Sequence, residues 1–218
     1  MLAQIIFEKR FERDKGNDCL ISVDDTDFLI PRRGKAFYSH KFNKSALRYE
    51  VALCILTGDI VWINGPYEPG LWNDLTIFQN SLQSNLEEQE RVEADDGYIG
   101  AHPEFAKCPR GFADPAETLA MQARVRHRQE TINLRFKFFG AMKQTWRHEI
   151  GRHGIAFRAI AIILQLTINT GERLFAVNYR DPPYGEVQAD GVANDAEQFA
   201  PAEWEDQANE DATNMVDS

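Results

Sequence analysis

The sequence predicts an α/β fold, a mixed sheet with helices packed against it, and three observations carry the prediction. Short runs rich in Val, Ile, Leu and aromatic residues fall in the first half of the chain in the order strand, hairpin, strand. Helical periodicity separates the hairpin from the last strand and then fills the chain from about residue 115 to 168. With 43% hydrophobic residues in 218, there is ample material for one core and little for two, so a single domain with appendages is expected.

Residues 1–17 read as a short helical lead-in. The domain itself is expected over 18–180. Its first strand candidate is "CLISVDD" (19–25), an apolar run ending in acids. "ALRYEVALCILTG" and "DIVWINGPY" form a hairpin pattern joined near Thr57-Gly58-Asp59. The Pro/Gly loop "PYEPGLWND" closes on Asn73 or Asp74, and either can cap the following helix, "LTIFQNSLQSNLEEQE". "RVEAD" is another short strand candidate. After a loop containing "CPRGFADP", a long helical pattern starts near Pro115-Ala116 and runs to about His148, followed by an apolar helix from about Gly154. "IAFRAIAIILQLTI" is 14 residues long and includes Arg158, which reads as a buried helix rather than a membrane span. The N-terminus is too charged for a signal peptide, so no membrane partner and no secretion are expected. Cys19, Cys54 and Cys108 lie far apart without zinc-ligand spacing, which suits a reducing compartment and argues against a disulfide framework.

The net charge of −10 belongs to the tail. Residues 181–218 hold 11 acids and no Lys or Arg, leaving 23 acids against 24 bases in the rest. That segment lacks apolar periodicity and is expected to be disordered. Within the body, residues 28–48 carry Arg32, Arg33, Lys35, Lys41, Lys44 and Arg48 with no acid, interleaved with Phe37, Tyr38 and Phe42. A second basic stretch, 124–158, has nine Lys/Arg against Glu130 and Glu149. Each alone could be a solvated face; together, flanking acidic clusters, they suit a polyanion gripped by cations.

The acids fall in three places. "CLISVDD" ends in two of them, and "RVEADDGYIG" places Asp95 and Asp96 ahead of Gly97, where an ordinary turn is the plain alternative. On the long helix, at about 100° per residue, Arg126, Glu130, Asn133 and Lys137 share one polar stripe. Met121, Val125, Ile132, Phe136 and Phe139 make the core stripe beside it. Glu130 is the only acid between Glu117 and Glu149. Carboxylates on two strand ends and one helix suit a pair of divalent cations, which take oxygen ligands and share them across about 4 Å in phosphoryl transfer.

"SVDDTDF", "ADDGYIG" and "RHRQETINLRFKFFGAMKQTWRH" resemble the three acidic blocks of the DDE superfamily endonuclease domain of PIF/Harbinger-type transposases and their bacterial insertion-sequence relatives. The resemblance covers about residues 18–150. It matches Asp24, two before Thr26, to the first acid, and Asp95, two before Gly97-Tyr98, to the second; Glu130 is the third. The acids are 71 and 35 residues apart. The sequence departs from the pattern with Asp25 where the family has Gly, and with the extra acid Asp96.

The resemblance implies a ribonuclease H-like fold in which Asp24, Asp95 and Glu130 are both catalytic residues and ligands of two Mg²⁺ or Mn²⁺ ions. The implied substrate is DNA, with Arg32, Arg33, Lys35, Arg126 and Lys137 as phosphate contacts. It also implies a separate DNA-binding protein and a homo-oligomer as partners, and a nuclear location in a eukaryote or a cytoplasmic one otherwise. Two alternatives stand beside it: a non-catalytic DNA- or protein-binding module of the same fold, and an RNA-cleaving enzyme.

Overall fold

Strand β1, Cys19–Leu29, is the axis of a six-stranded mixed sheet in the computed structural model, which describes residues 4–12, 16, 19–109 and 116–180. The acidic tail expected at 181–218 lies outside the described residues. Antiparallel to β1 runs β3 (Lys44–Cys54), in register from Ile21↔Cys54 to Leu29↔Ala46. The far edge of β3 pairs with β2 (Tyr38–Ser39) near one end and with β4 (Ile60–Tyr67) along the rest, both antiparallel. On the other side of β1 lie β5 (Arg91–Glu93) and β6 (Ala106–Lys107), both parallel. The expected hairpin is therefore β3–β4.

The first strand is longer than the apolar run suggested. It continues through Asp25 and Asp27 because β3 offers Arg48 directly opposite Asp27, and the guanidinium binds that carboxylate through two nitrogens. Tertiary pairing thus overrides the poor strand propensity of aspartate. Pairing with β5 stops at Ser22↔Glu93, so beyond Val23 the second edge of β1 has no neighbouring strand.

Helices cover both faces of the sheet. On one face lie α2 (Ala116–Phe136) and α4 (His153–Asn169). Their core includes Phe28, Tyr49, Val51, Ile132, Phe136 and Phe157. Phe157 stacks between Tyr49 and Phe136, at 4.0 and 4.8 Å between ring centres. On the other face, α1 (Asp74–Asn80) and the 3-10 turn Asp96–Ala101 pack Phe78 and Tyr98 against Ile21, Val23 and Ala52.

Two helices are shorter than their sequence patterns. The first gives way at Ser81 to a 3-10 turn, Leu82–Asn85. The long pattern from Ala116 breaks after Phe136, and a single turn, α3 (Gly140–Lys143), follows. There Phe139 adopts extended backbone and turns toward the core, and the chain folds back so that Trp146 is buried and its amide donates to Leu29 O at 2.9 Å. The lead-in proves to be a 3-10 turn, Phe7–Phe11, whose Arg10 is buried against Glu90 at 2.7 Å.

Candidate functional site

Strand alternation sends the acids of β1 to opposite faces. Ser22 and Asp24 face α2, where Ser22 Oγ donates to Gln129 Oε1 (2.9 Å) and Asn133 Nδ2 donates to Asp24 Oδ2 (2.8 Å). Gln129 also donates to Val51 O at 2.9 Å, so one turn of α2 is keyed to the sheet by buried amides. Asp25 and Asp27 face α1. Tyr98 Oη lies 3.4 Å from Asp25 Oδ1, and Asp27 sits between Arg48 and the Ser39 hydroxyl.

The end of the parallel pairing brings the second acid in. Two residues past Ser22 and Glu93 come Asp24 and Asp95, at the same level of the sheet. Asp95 caps the turn Asp96–Ala101, its Oδ1 accepting from the Gly97 amide at 2.9 Å. The turn that stood as the plain alternative at Asp-Gly is present, and the Asp95 carboxylate that caps it also acts on Asp24 through its charge. A Cβ on Gly97 would stand 2.9 Å from Asp95 Oδ1 and 3.5 Å from Asp74 Oδ2, so the missing side chain lets both carboxylates approach. Asp74 is in this cluster because Asn73 caps α1, accepting from the Thr76 amide at 2.8 Å, which leaves the Asp74 side chain to ion-pair with Arg48.

An open cleft of about 320 Å³ runs along the unpaired edge of β1. Asp24 and Asp25 line it from the strand, Glu130 and Asn133 from α2, Lys137 from the turn just past that helix, and Lys41 from the β2–β3 turn. Glu130 is exposed at its rim, and Asn133, one turn further along the helix, makes the direct contact with Asp24. Lys41 Nζ donates to Asp25 O at 3.0 Å and stands 4.0 Å from Asp24 Oδ1 and 3.9 Å from Asp74 Oδ2.

Electrostatics mark the same place. Burial pushes the Asp24 carboxyl up to about 6; Lys41 opposes this, while Asp95 and Asp74 add to it. Asp25 is raised well above the ordinary carboxylate range, by burial first and then by Asp74 and Glu50. Burial raises Glu50 to about 7, against hydrogen bonds from Trp62 and Ser81. Lys137 is lowered by burial and by Lys41.

Neither a protein-family model, nor a curated protein, nor a solved structure matches the chain. No helix among the described residues is long and apolar enough to cross a membrane.

Of the sequence-predicted site residues, Asp24 and Glu130 line one cleft, and Asp95 acts on Asp24 through its charge. Lys137 lines that cleft as well, with its ammonium 5.3 Å from the centre of the Phe42 ring. Arg33 and Lys35 line a second cleft, of about 620 Å³, with Tyr38, His40 and Lys44 and no acid. The turn 40–43 serves both clefts, Lys41 and Phe42 lining the acidic one and His40 and Asn43 the basic one. Arg32 is exposed and lies over Phe37, while Arg126 is half-buried with its charge felt by Cys108; neither lines either of these two clefts.

As the side chains stand, no three His, Cys, Asp or Glu among the described residues converge closely enough to hold a metal ion. The donor chemistry nevertheless fits hard divalent cations, because the acidic cleft offers carboxylate, carboxamide and carbonyl oxygens and neither thiol nor imidazole. Asp25 Oδ2, on a residue only 2% exposed, has no hydrogen-bond partner there.

Proposed function

We propose that the chain is a transposase-derived DDE endonuclease that cleaves DNA phosphodiesters with two Mg²⁺ or Mn²⁺ ions. The observation that supports this reading is that Asp24 and Glu130, from β1 and α2, line one cleft while Asp95, just past the end of β5, acts on Asp24 through its charge. Three antiparallel strands, β4, β3 and β1, followed by parallel β5 and β6 with helices on both faces, are the topology expected of a ribonuclease H-like domain, which supports the same reading.

Asp24, Asp95 and Glu130 would hold the ions, which when bound supply Lewis-acid activation of water and of the leaving oxygen. The chain's own residues prepare that position. Asn133 and the Asp25 amide (2.8 Å) fix the Asp24 carboxylate, and the Gly97 amide fixes Asp95. Lys137 borders the acids from the turn that follows α2. Arg33, Lys35 and Lys44 offer cations to the phosphates of a strand leaving the acidic cleft, positioning it without reading its sequence.

The test is cleavage of supercoiled and short duplex DNA in Mn²⁺ by the wild type and by Asp24→Asn, Asp95→Asn and Glu130→Gln. Cleavage lost in all three variants is the expected result; cleavage unaffected by them would sink the proposal. A second reading, a DNA-binding module without catalysis, is favoured by one observation: Asn133 rather than Glu130 contacts Asp24. Metal-independent DNA binding with no cleavage and no Mn²⁺ binding would establish it.

A further inference from the structure

The Lys41 ammonium stands off the unpaired edge of β1, reached by Asp24 from one face of the sheet and by Asp74 from the other. Its contacts to both carboxylates, at 4.0 and 3.9 Å, are long beside the usual 2.7–2.9 Å of a charge-assisted hydrogen bond. Only the Asp25 carbonyl, at 3.0 Å, receives it well. The ammonium fills a position that it does not satisfy.

Both carboxylates are already oriented toward that position. Asn133 holds Asp24 Oδ2, and Oδ1, which accepts from the Asp25 amide at 2.8 Å, turns its remaining lone pair to the Lys41 side. Arg48, anchored on Asp27, holds Asp74 Oδ1 and leaves Oδ2 on the Lys41 side. Outer partners that orient a carboxylate and leave acceptor capacity facing one point are the arrangement that supports metal-binding carboxylates. An independent observation points the same way: Asp25 Oδ2 is buried without a partner in the residue that lines this cleft, and Asp74 is the nearby charge acting on it most strongly.

We propose that Lys41 holds the place of a divalent cation, and that Asp74 is a further carboxylate ligand of that position alongside Asp24, with the Asp25 carbonyl facing the same point. The inference rests on the metal-dependent reading above and adds a ligand from α1 that the three-acid pattern lacks. Lys41 is half-exposed on the short β2–β3 turn, so withdrawing its side chain disturbs no core packing. Metal loading then exchanges one cation for another, and the released ammonium moves toward the phosphates that a nucleic acid would bring.

The experiment is calorimetric titration of Mn²⁺ into wild type, Asp74→Asn, Lys41→Met and Asp24→Asn at neutral pH, with circular dichroism as the folding control. Asp74→Asn is expected to weaken Mn²⁺ at least tenfold, and Lys41→Met to tighten it several-fold by removing the competing cation. Wild-type affinity in Asp74→Asn, with binding lost in Asp24→Asn, overturns the inference and leaves the three-acid reading standing. Weaker binding in Lys41→Met also overturns it, and that variant touches no buried ion pair, so it decides the matter even if Asp74→Asn fails to fold. No Mn²⁺ binding by either wild type or Lys41→Met overturns the inference and the metal-dependent reading together.

Discussion

Asp24→Asn is expected to stabilise the metal-free protein at neutral pH, which is the reverse of what a buried hydrogen-bonded residue ordinarily does. Burial, Asp95 and Asp74 lift the Asp24 carboxyl from 3.8 to about 6 despite Lys41. The folded state therefore binds the proton more tightly than the unfolded chain. The associated stability is fully present below about pH 4 and is lost as pH rises through about 6. At 1.36 kcal/mol per pH unit, the ionised side chain costs the fold about 3 kcal/mol at neutral pH. Asparagine keeps the shape and carries no charge to desolvate: its one amide oxygen still accepts from the Asp25 amide, and its NH2 group can donate to Asn133 once that carboxamide flips to present Oδ1, which is buried without a partner in the wild type. Urea unfolding in EDTA from about pH 4 to 8 should show the two proteins equal at the acid end and the variant ahead by up to about 3 kcal/mol at the other. At about 2–4 °C per kcal/mol for a domain of this size, that is a readily measured rise in melting temperature. Comparing the pair cancels the titrating groups that do not feel the Asp24 charge, leaving Asp25, Lys41 and Lys137 to shift with it. A variant less stable than wild type at neutral pH, or a difference flat across the range, would refute the reasoning.

Other consequences follow from groups around the site. Arg48→Met strands Asp27 and Asp74 beside the buried Asp25, and should cost about 3–5 kcal/mol in denaturant unfolding; adding Asp27→Asn should recover part of it, and a loss below about 1 kcal/mol would contradict the assignment. His153 is buried against Tyr49 Oη (2.7 Å), and burial lowers its imidazole to about 4, so it contributes stability above about pH 6.5 that is lost as pH falls toward 4. His153→Phe should flatten that acid limb, and an unchanged limb would show that another group sets it. Arg33→Glu and Lys35→Glu should weaken duplex binding for every sequence alike and reduce its salt dependence by about one phosphate contact each; sequence-selective loss would assign the basic cleft to base recognition.

What the sequence disclosed, and what it did not, divides along physical lines. The β3–β4 hairpin and α4 were legible because long apolar runs carry their own period. The three acids were placed by element; Asp24 and Glu130 share a cleft and Asp95 acts on Asp24 through its charge, without the three meeting at one point. The two-residue strands β2 and β6 have no sequence signal of their own, and their pairing is decided by β3 and β5. Asp74 was illegible because Asn73 and Asp74 are both competent caps, and only the backbone at Asn73 decides which one turns outward. The polar stripe on α2 placed Asn133 beside Glu130, but only the rotation of the helix against β1, fixed by Gln129, shows which of them meets Asp24. The extension of β1 past Asp25, through Asp27, depends on Arg48, supplied by another strand, and no local pattern reports it.

The buried pair between Arg10 and Glu90 bears on where this domain begins. Glu90 immediately precedes β5, and besides Arg10 it accepts from the Glu87 amide at 2.8 Å. The guanidinium also lies 3.6 Å from the centre of the Phe7 ring, and Phe7 packs against Trp62, whose indole nitrogen donates to Glu50 at 2.7 Å. A chain trimmed to residue 18 would bury a lone carboxylate at the mouth of β5 and uncover Trp62 at the edge of the sheet. The loss would then pass along β5 to Asp95 and through Glu50 to the cross-strand neighbour Asp25. Losing the turn Phe7–Phe11 should therefore loosen the carboxylates of the cleft from a distance, which makes that turn the sheet's outer buttress.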